Sequence, residues 1–336
     1  MKQVIYTVSE NRKIADNVFL MKLQGDVTAV TGPGQFVNVS VPGLFLRRPI
    51  SVCDYAGDAL TLIYKVVGKG TEAMGEMAAG EKLSVLTGLG NGYDLTRAGD
   101  RPLLLGGGVG VPPLYLLAKE LKKAGKEVSV VLGFNTKTEV FFEEEFRALG
   151  CDVTVTTVDG SYGVKGFVTD ALPENYTYFY TCGPLPMLKS VYRVAKTSGE
   201  FSLEERMGCG FGACMGCSIK VKDLSEGGVG SSGSAAESGA GHGSSGSAAK
   251  PDAGHGSADS ASELGAGSTV ESDAGHGSVG STAESDAGHG SAGSAAEPGA
   301  DNAPQRDAEN VEVKVIFKRI CKEGPVFRKE ELLWED

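Results

Sequence analysis

The chain has 336 residues, 41% of them hydrophobic and 22% charged, with a formal charge of −11; that is enough for two or three domains with their own cores. The acidity is local: residues 223–310 hold 14 acidic residues against two basic ones, Lys250 and Arg306, and the rest of the chain has 30 Lys and Arg against 29 Asp and Glu. A near-neutral body argues against a nucleic-acid partner, and with no apolar run approaching 18 residues and no apolar stretch at the amino terminus, neither a membrane span nor a signal peptide is expected.

Residues 1–98 read as short strands. Val4–Val8 and Val18–Leu23 have period-2 character, and Phe36–Val41 alternates after Pro33-Gly34. Punctuation at Gly57, Gly88 and Asn91-Gly92 suits hairpins and the corners of a small antiparallel barrel. Within it, Arg48-Pro49-Ile50-Ser51 offers a guanidinium for a pyrophosphate and a hydroxyl for a flavin. Alone the tetrapeptide is an ordinary strand entry. Ile63-Tyr64-Lys65 and Gly70-Thr71 follow in the next segment; Tyr64 can stack on a ring or pack in the core.

From about residue 99 to 200 the period changes. Leu103-Leu104-Leu105 enters Gly106-Gly107-Gly108-Val109-Gly110, and Val111-Pro112-Pro113 opens an amphipathic helix through Lys123. Strands at Val128–Leu132, Val153–Val158 and Tyr176–Thr181 alternate with helices at Glu143–Leu149 and Pro186–Thr197, the pattern of a parallel α/β sheet. The strand–glycine–helix turn at Gly106, Gly107, Gly108 and Gly110 suits a dinucleotide phosphate, although Val111 stands where a G-x-G-x-x-G would place its last glycine. Cys182-Gly183-Pro184 ends the fourth strand, where α/β sheets bind ligands. Cys182 is placed to approach a nicotinamide ring; a small buried cysteine is the alternative.

Residues 201–222 and 311–336 frame the strongest motif. Cys209, Cys214 and Cys217 have the C-x4-C-x2-C spacing of plant-type 2Fe–2S loops, with glycines at 208, 210, 212 and 216 that let the backbone wrap the sulfurs. Cys53, Cys151 and Cys182 fall within barrel or sheet patterns, which leaves Cys321, after the strand-like run Val311–Ile320, as the fourth ligand. Structural zinc also accepts four thiolates but usually comes with two C-x-x-C arms, and one is present. Clustered thiols without an export signal indicate a reducing cytoplasm.

The tract 223–310, between the third and fourth cysteines, is a degenerate 13-residue repeat: GSSGSAAESGAGH at 230–242 returns as GSSGSAAKPDAGH at 243–255 and GSVGSTAESDAGH at 277–289. It has no aromatic residue, and disorder is expected. Ser218–Lys222 and Val311–Arg319 read as two arms of a hairpin whose tip the repeat expands. Three doublings of loop length add roughly 2 kcal/mol of closure entropy, which metal binding at roughly 10 kcal/mol or more can offset. All four histidines, His242, His255, His276 and His289, lie in this tract, so the remainder cannot hold a Ser–His or Cys–His nucleophile, a histidine zinc site or a Rieske cluster.

Together, Pro33-Gly34-Gln35-Phe36, Arg48–Ser51, Gly106–Pro113 and Cys182-Gly183-Pro184 resemble the ferredoxin–NADP reductase superfamily. Leu46–Ser51, Asp159–Gly163, Gly166–Asp170, Glu204–Cys209 and Cys321–Phe327 narrow the resemblance to the electron-transfer subunits of type B dihydroorotate dehydrogenase. It covers residues 1–222 and 311–336; the insert departs from it. The resemblance implies an α+β multidomain chain with an FAD-binding barrel at 1–98, an NAD-binding α/β domain at 99–200 and a small 2Fe–2S domain at 201–222 and 311–336. It implies FAD contacts from Arg48–Ser51, Ile63–Lys65, Gly70 and Thr71, and NAD near Gly106–Gly110 and Cys182. Electrons from dihydroorotate would pass from the FMN of a separate catalytic subunit, through cluster and FAD, to NAD+ in pyrimidine biosynthesis, in a heterotetramer of two of each chain. Two alternatives stand beside it. One is the small subunit of an NADH-dependent ferredoxin–NADP reductase or sulfide dehydrogenase, in which an aspartate replaces the first cysteine. The other is a scaffold protein whose repeat is the working part.

Overall fold

The computed structural model describes residues 1–224 and 313–334. The repeat, with its expected disorder, lies outside the described residues.

Six strands close an antiparallel barrel: β1 (Lys2–Ala15), β2 (Val18–Gln24), β3 (Phe36–Ser40), β4 (Arg48–Ala56), β5 (Ala59–Lys65) and, after helix α1 (Lys69–Gly75), β6 (Lys82–Leu89). Their order around the barrel is β1-β2-β5-β4-β3-β6. Alternate residues fill it: Tyr6 and Val8 from β1, Met21 and Leu23 from β2, Leu60, Leu62 and Tyr64 from β5 and Leu83 and Val85 from β6 are buried in one core. Period-2 patterning sends the intervening residues outward. Irregularities at Val8/Glu10 and Lys13/Ala15 bend the long β1 around the barrel.

The second layer begins with β7 (Pro102–Gly107), α2 (Pro112–Lys123), β8 (Ser129–Phe134), α3 (Glu143–Ala148), β9 (Asp152–Thr157) and β10 (Val164–Lys165). It continues with β11 (Tyr178–Cys182), α4 (Leu185–Val194) and β12 (Gly199–Ser202). Leu114, Leu117, Ala118 and Leu121 put one face of α2 on the sheet. Leu116 on the same helix reaches the barrel core, and Lys119 pairs with Asp54 of β4 at 2.9 Å. Two proline residues open α2, where a missing N–H costs nothing.

The last strands are β13 (Ser218–Lys222), β14 (Val315–Arg319) and β15 (Val326–Arg328). β13 and β14 form the expected hairpin, from Ser218 opposite Arg319 to Lys222 opposite Val315. β15 instead joins the nucleotide-type sheet, giving the order β10-β9-β8-β7-β11-β12-β15 with β15 antiparallel to β12. That sheet thus crosses residue 200 and takes a strand from the C-terminal segment. β12 was not legible as a strand because Gly199, Glu200, Phe201 and Ser202 are all buried, which erases the alternation. Gly70 and Thr71, expected in a barrel segment, lie instead in the short helix α1.

Candidate cluster, flavin and nucleotide sites

The order of the sheet reverses at β7, whose neighbours are β8 and β11. Ligands of open α/β sheets bind at such a point, outside the carboxyl ends of the strands. A cavity of about 510 Å³ lies there, lined by Gly107–Gly110 at the end of β7, Gly133–Asn135 at the end of β8, Gly183 and Pro184 after β11, and Thr156 of β9. The two turns touch: a Cβ on Gly110 would stand 2.3 Å from the Cys182 carbonyl oxygen, and one on Gly107 would stand 2.4 Å from Met187 Sδ. At Gly110, where the contact is backbone, glycine is therefore required by close approach. Gly106 is buried below, against Val111 and Leu114. The Thr156 hydroxyl is buried without a partner, a spare polar group on the cavity wall that suits a polar ligand.

Cys182 itself is 2% exposed, so Gly183 and Pro184 face the cavity while the thiol lies beneath. Burial, reinforced by the charge of Glu204, raises its pKa and keeps it neutral. Glu204 also lines the cavity, and desolvation lifts its carboxyl above the ordinary range. Sequence reasoning quoted Glu204 only as part of a motif; an acid just past a strand carries no local signal of the recess it enters. Lys65, from the barrel, closes another wall and pairs with Glu139 at 3.4 Å.

On the barrel, Arg48, Pro49, Ile50 and Ser51 are all half-exposed, although β4 is buried just beyond them at Val52 and Cys53. This open run is a cradle that a long cofactor can occupy. Arg48 lies over Gly70, where a Cβ would stand 2.0 Å from Arg48 Nε, and its guanidinium donates to the Leu46 carbonyl. Thr71 is spent on the turn before α1, accepting from the Val67 N–H at 2.9 Å. Ile63 is buried in the core shared with α2. Tyr64 points inward, its hydroxyl donating to Asn11 Oδ1 at 3.1 Å and its ring stacked on Phe19 at 6.0 Å. Its side chain takes the core-packing role of the two that the sequence left open.

The cysteines lie on two turns, Cys209 and Cys214 on one loop and Cys217 with Cys321 at the base of the β13–β14 hairpin, where the Cys217 and Cys321 sulfurs stand 3.2 Å apart. Among the described residues no three acidic or thiol groups surround a single metal position. Four thiolates would supply the two irons of a 2Fe–2S centre, two to each. Burial raises the Cys209 thiol, but N–H groups of Phe211, Cys214 and Ala213 outweigh it and bring the pKa to about 6; the Ala213 N–H lies 3.2 Å from the sulfur. Burial and the neighbouring Cys217 push Cys321 up to about 12. Two thiols so close cannot both ionise without a cation between them, and an iron held there would supply one.

Asn38 of β3 links this loop to the barrel beside Arg48–Ser51. It lies opposite Pro49 in the ladder, and its Nδ2 donates to the Cys209 carbonyl at 3.2 Å. A Cβ on Gly210 would meet that amide at 2.2 Å. Asn91 holds the other side: its side chain donates to the Val326 carbonyl at 2.8 Å and accepts the Val326 N–H at 3.1 Å.

Comparison with known proteins places the same domains on this chain. The family model of the iron–sulfur cluster binding domain of dihydroorotate dehydrogenase B matches residues 204–229, and the oxidoreductase NAD-binding domain matches residues 104–193. The dihydroorotate dehydrogenase B (NAD(+)) electron transfer subunit of Fusobacterium nucleatum is 45% identical over 232 residues, 64% of this chain and 89% of its own. Its counterpart from a Geobacillus strain is 47% identical over 233 residues, 66% of this chain and 90% of its own. Among solved structures, one from an NADH-dependent reduced ferredoxin–NADP oxidoreductase study has a TM-score of 0.59 at 32% identity, covering 65% of this chain and 82% of its own. That relative is of the type of the first alternative reading; the higher identities favour the dehydrogenase. From the cysteine loop, the barrel-and-sheet fold and these relatives, the chain belongs to the family of dihydroorotate dehydrogenase B (NAD+) electron-transfer subunits.

Proposed function

We propose that Cys209, Cys214, Cys217 and Cys321 hold the cluster of this electron-transfer chain at an outward-facing end, while the Gly107–Gly110 cavity receives NAD+. Arg48 and Ser51, beside Gly70, would hold FAD on the barrel, and the β5 segment Ile63–Lys65 would bound it on the side of the cavity. When bound, the flavin exchanges single electrons with hydride and the cluster carries single electrons. The chain's own residues do the positioning. Gly107 and Gly110 let the turns after β7 and β11 pack together and shape the cavity, the unpartnered Thr156 hydroxyl would serve a polar ligand at its wall, and Cys182 stays a neutral floor below. The observation that best supports the arrangement is the Asn38 amide, which touches the cysteine loop from the strand paired with Arg48–Ser51.

An electron-transfer subunit of this family works with a catalytic partner. We read the partner as FMN-containing and as the holder of the dihydroorotate site, in a heterotetramer of two chains of each kind. Phe211 and Met215 on the cysteine loop are exposed and give that partner apolar surface beside the cluster. No helix among the described residues is long and apolar enough to cross a membrane, and a cytoplasmic setting is proposed from the need for reduced thiols. Cys321→Ser tests the ligand set: purified anaerobically, the variant should keep FAD and lose the cluster, and an unchanged iron content would refute the assignment.

A further inference from the structure

The cysteine loop and the Cys321 turn are joined by more than their thiols. Gly212 lies between Cys209 and Cys214 with φ +92°, and its carbonyl accepts from Arg319 Nη1 at 2.6 Å. The same guanidinium grips Glu323, with Nε donating to Oε2 at 2.9 Å and Nη2 to Oε1, and the Arg319 backbone N–H reaches Oε2 at 2.8 Å. On the other side of Cys321, the Lys322 stem covers Gly212, where a Cβ would stand 2.7 Å from Lys322 Cδ. Residues on both flanks of the fourth cysteine thus converge on one glycine between the first and second.

Connectivity alone holds Cys321 poorly. With 103 residues between Cys217 and Cys321, the chain entropy that would separate them is far larger than for a tight hairpin. A planar guanidinium that binds a carboxylate by two N–H groups and still has one for a carbonyl suits the joint, because its fork fixes direction as well as distance. Lysine has the charge without the fork. The guanidinium sits on the Gly212 carbonyl, inside the Cys209–Cys214 loop and two residues before Cys321, so its positive charge beside the site favours the state that carries one more electron.

Resting on the reading that Cys321 completes the ligand set, we propose that Arg319 is a positioning residue of the cluster, tying Gly212 and Glu323 together across Cys321 and setting the site's potential by its charge. Neither role follows from the cysteine spacing.

The test uses the full chain, reconstituted anaerobically, as R319Q, R319K and E323Q beside the unaltered protein. Three quantities are read: iron per flavin, the rate of iron loss to a chelator, and the midpoint potential followed by electron paramagnetic resonance. R319Q should lose iron about tenfold faster and titrate at a lower potential. R319K should recover the potential but not the slow iron loss, and E323Q should lose iron faster. Wild-type iron loss in both R319Q and E323Q, or an unchanged potential in R319Q, would overturn the proposal. C321S separates the two layers of the argument, since full iron in that variant refutes the ligand assignment itself, whatever the Arg319 variants do.

Discussion

Gly110 leaves no room at the floor of the nucleotide cavity, because the atom a Cβ would meet is the backbone carbonyl of Cys182, which cannot step aside. Gly110→Ala should lower stability by about 1–3 kcal/mol and weaken NAD(H) binding while FAD is retained; a variant with unchanged Tm and nicotinamide affinity would contradict the packing. Glu200 makes a different prediction. It is 3% exposed in β12, and burial lifts its pKa from 4.5 to about 7, eased by the Asp94 N–H that it accepts at 3.0 Å and reinforced by the Asp94 carboxylate. Between those two values the folded chain holds a proton that the unfolded chain has released. The group's stabilising contribution is therefore full below about pH 4.5 and lost as pH rises to about 7. Glu200→Gln should flatten that slope and raise stability at pH 8 by at most about 3 kcal/mol, measured by denaturant titration at several pH values. The glycines of this site were legible, since a strand, a glycine run and a helix state their purpose in order. Glu200 and Glu204 were not, because a carboxylate's burial depends on what packs over it from distant parts of the chain.

The hairpin of β13 and β14 is the element that decides whether the insert is tolerated. Its base, Ser218 opposite Arg319, adjoins Cys217 and Cys321, and its far end is closed by the Asp223 N–H donating to the Lys314 carbonyl at 2.8 Å. The insert therefore leaves and returns at the end away from the cluster. Replacing residues 225–312 by a short turn should keep the iron and flavin content and the NADH oxidation by artificial acceptors, because the flanking strands are already in register. A large loss of any of these would show that the repeat has a part in the fold. Periodicity made β1, β2, β3 and α2 readable in advance, and the arms of this hairpin were legible beside the cysteines. β15 was hidden: three residues after Gly324-Pro325 carry too little pattern, and its place beside β12 is set by Asn91 and the Phe201–Phe327 pairing, contacts between segments far apart in sequence.

At the scale of the molecule, the proposed route runs from a cysteine loop pinned to the barrel by Asn38, across a barrel that suits FAD, to the cavity at the switch point of the sheet. The route ends in a partner, so it is tested with the partner present. The decisive measurement is dihydroorotate-dependent NAD+ reduction when the full chain, carrying FAD and iron, is mixed with an FMN-containing catalytic subunit. The expected result is NADH formation only when both proteins are present, abolished by Cys321→Ser while that variant still oxidises NADH with ferricyanide. NADH formation by the catalytic subunit alone, or at an undiminished rate with Cys321→Ser, would contradict it.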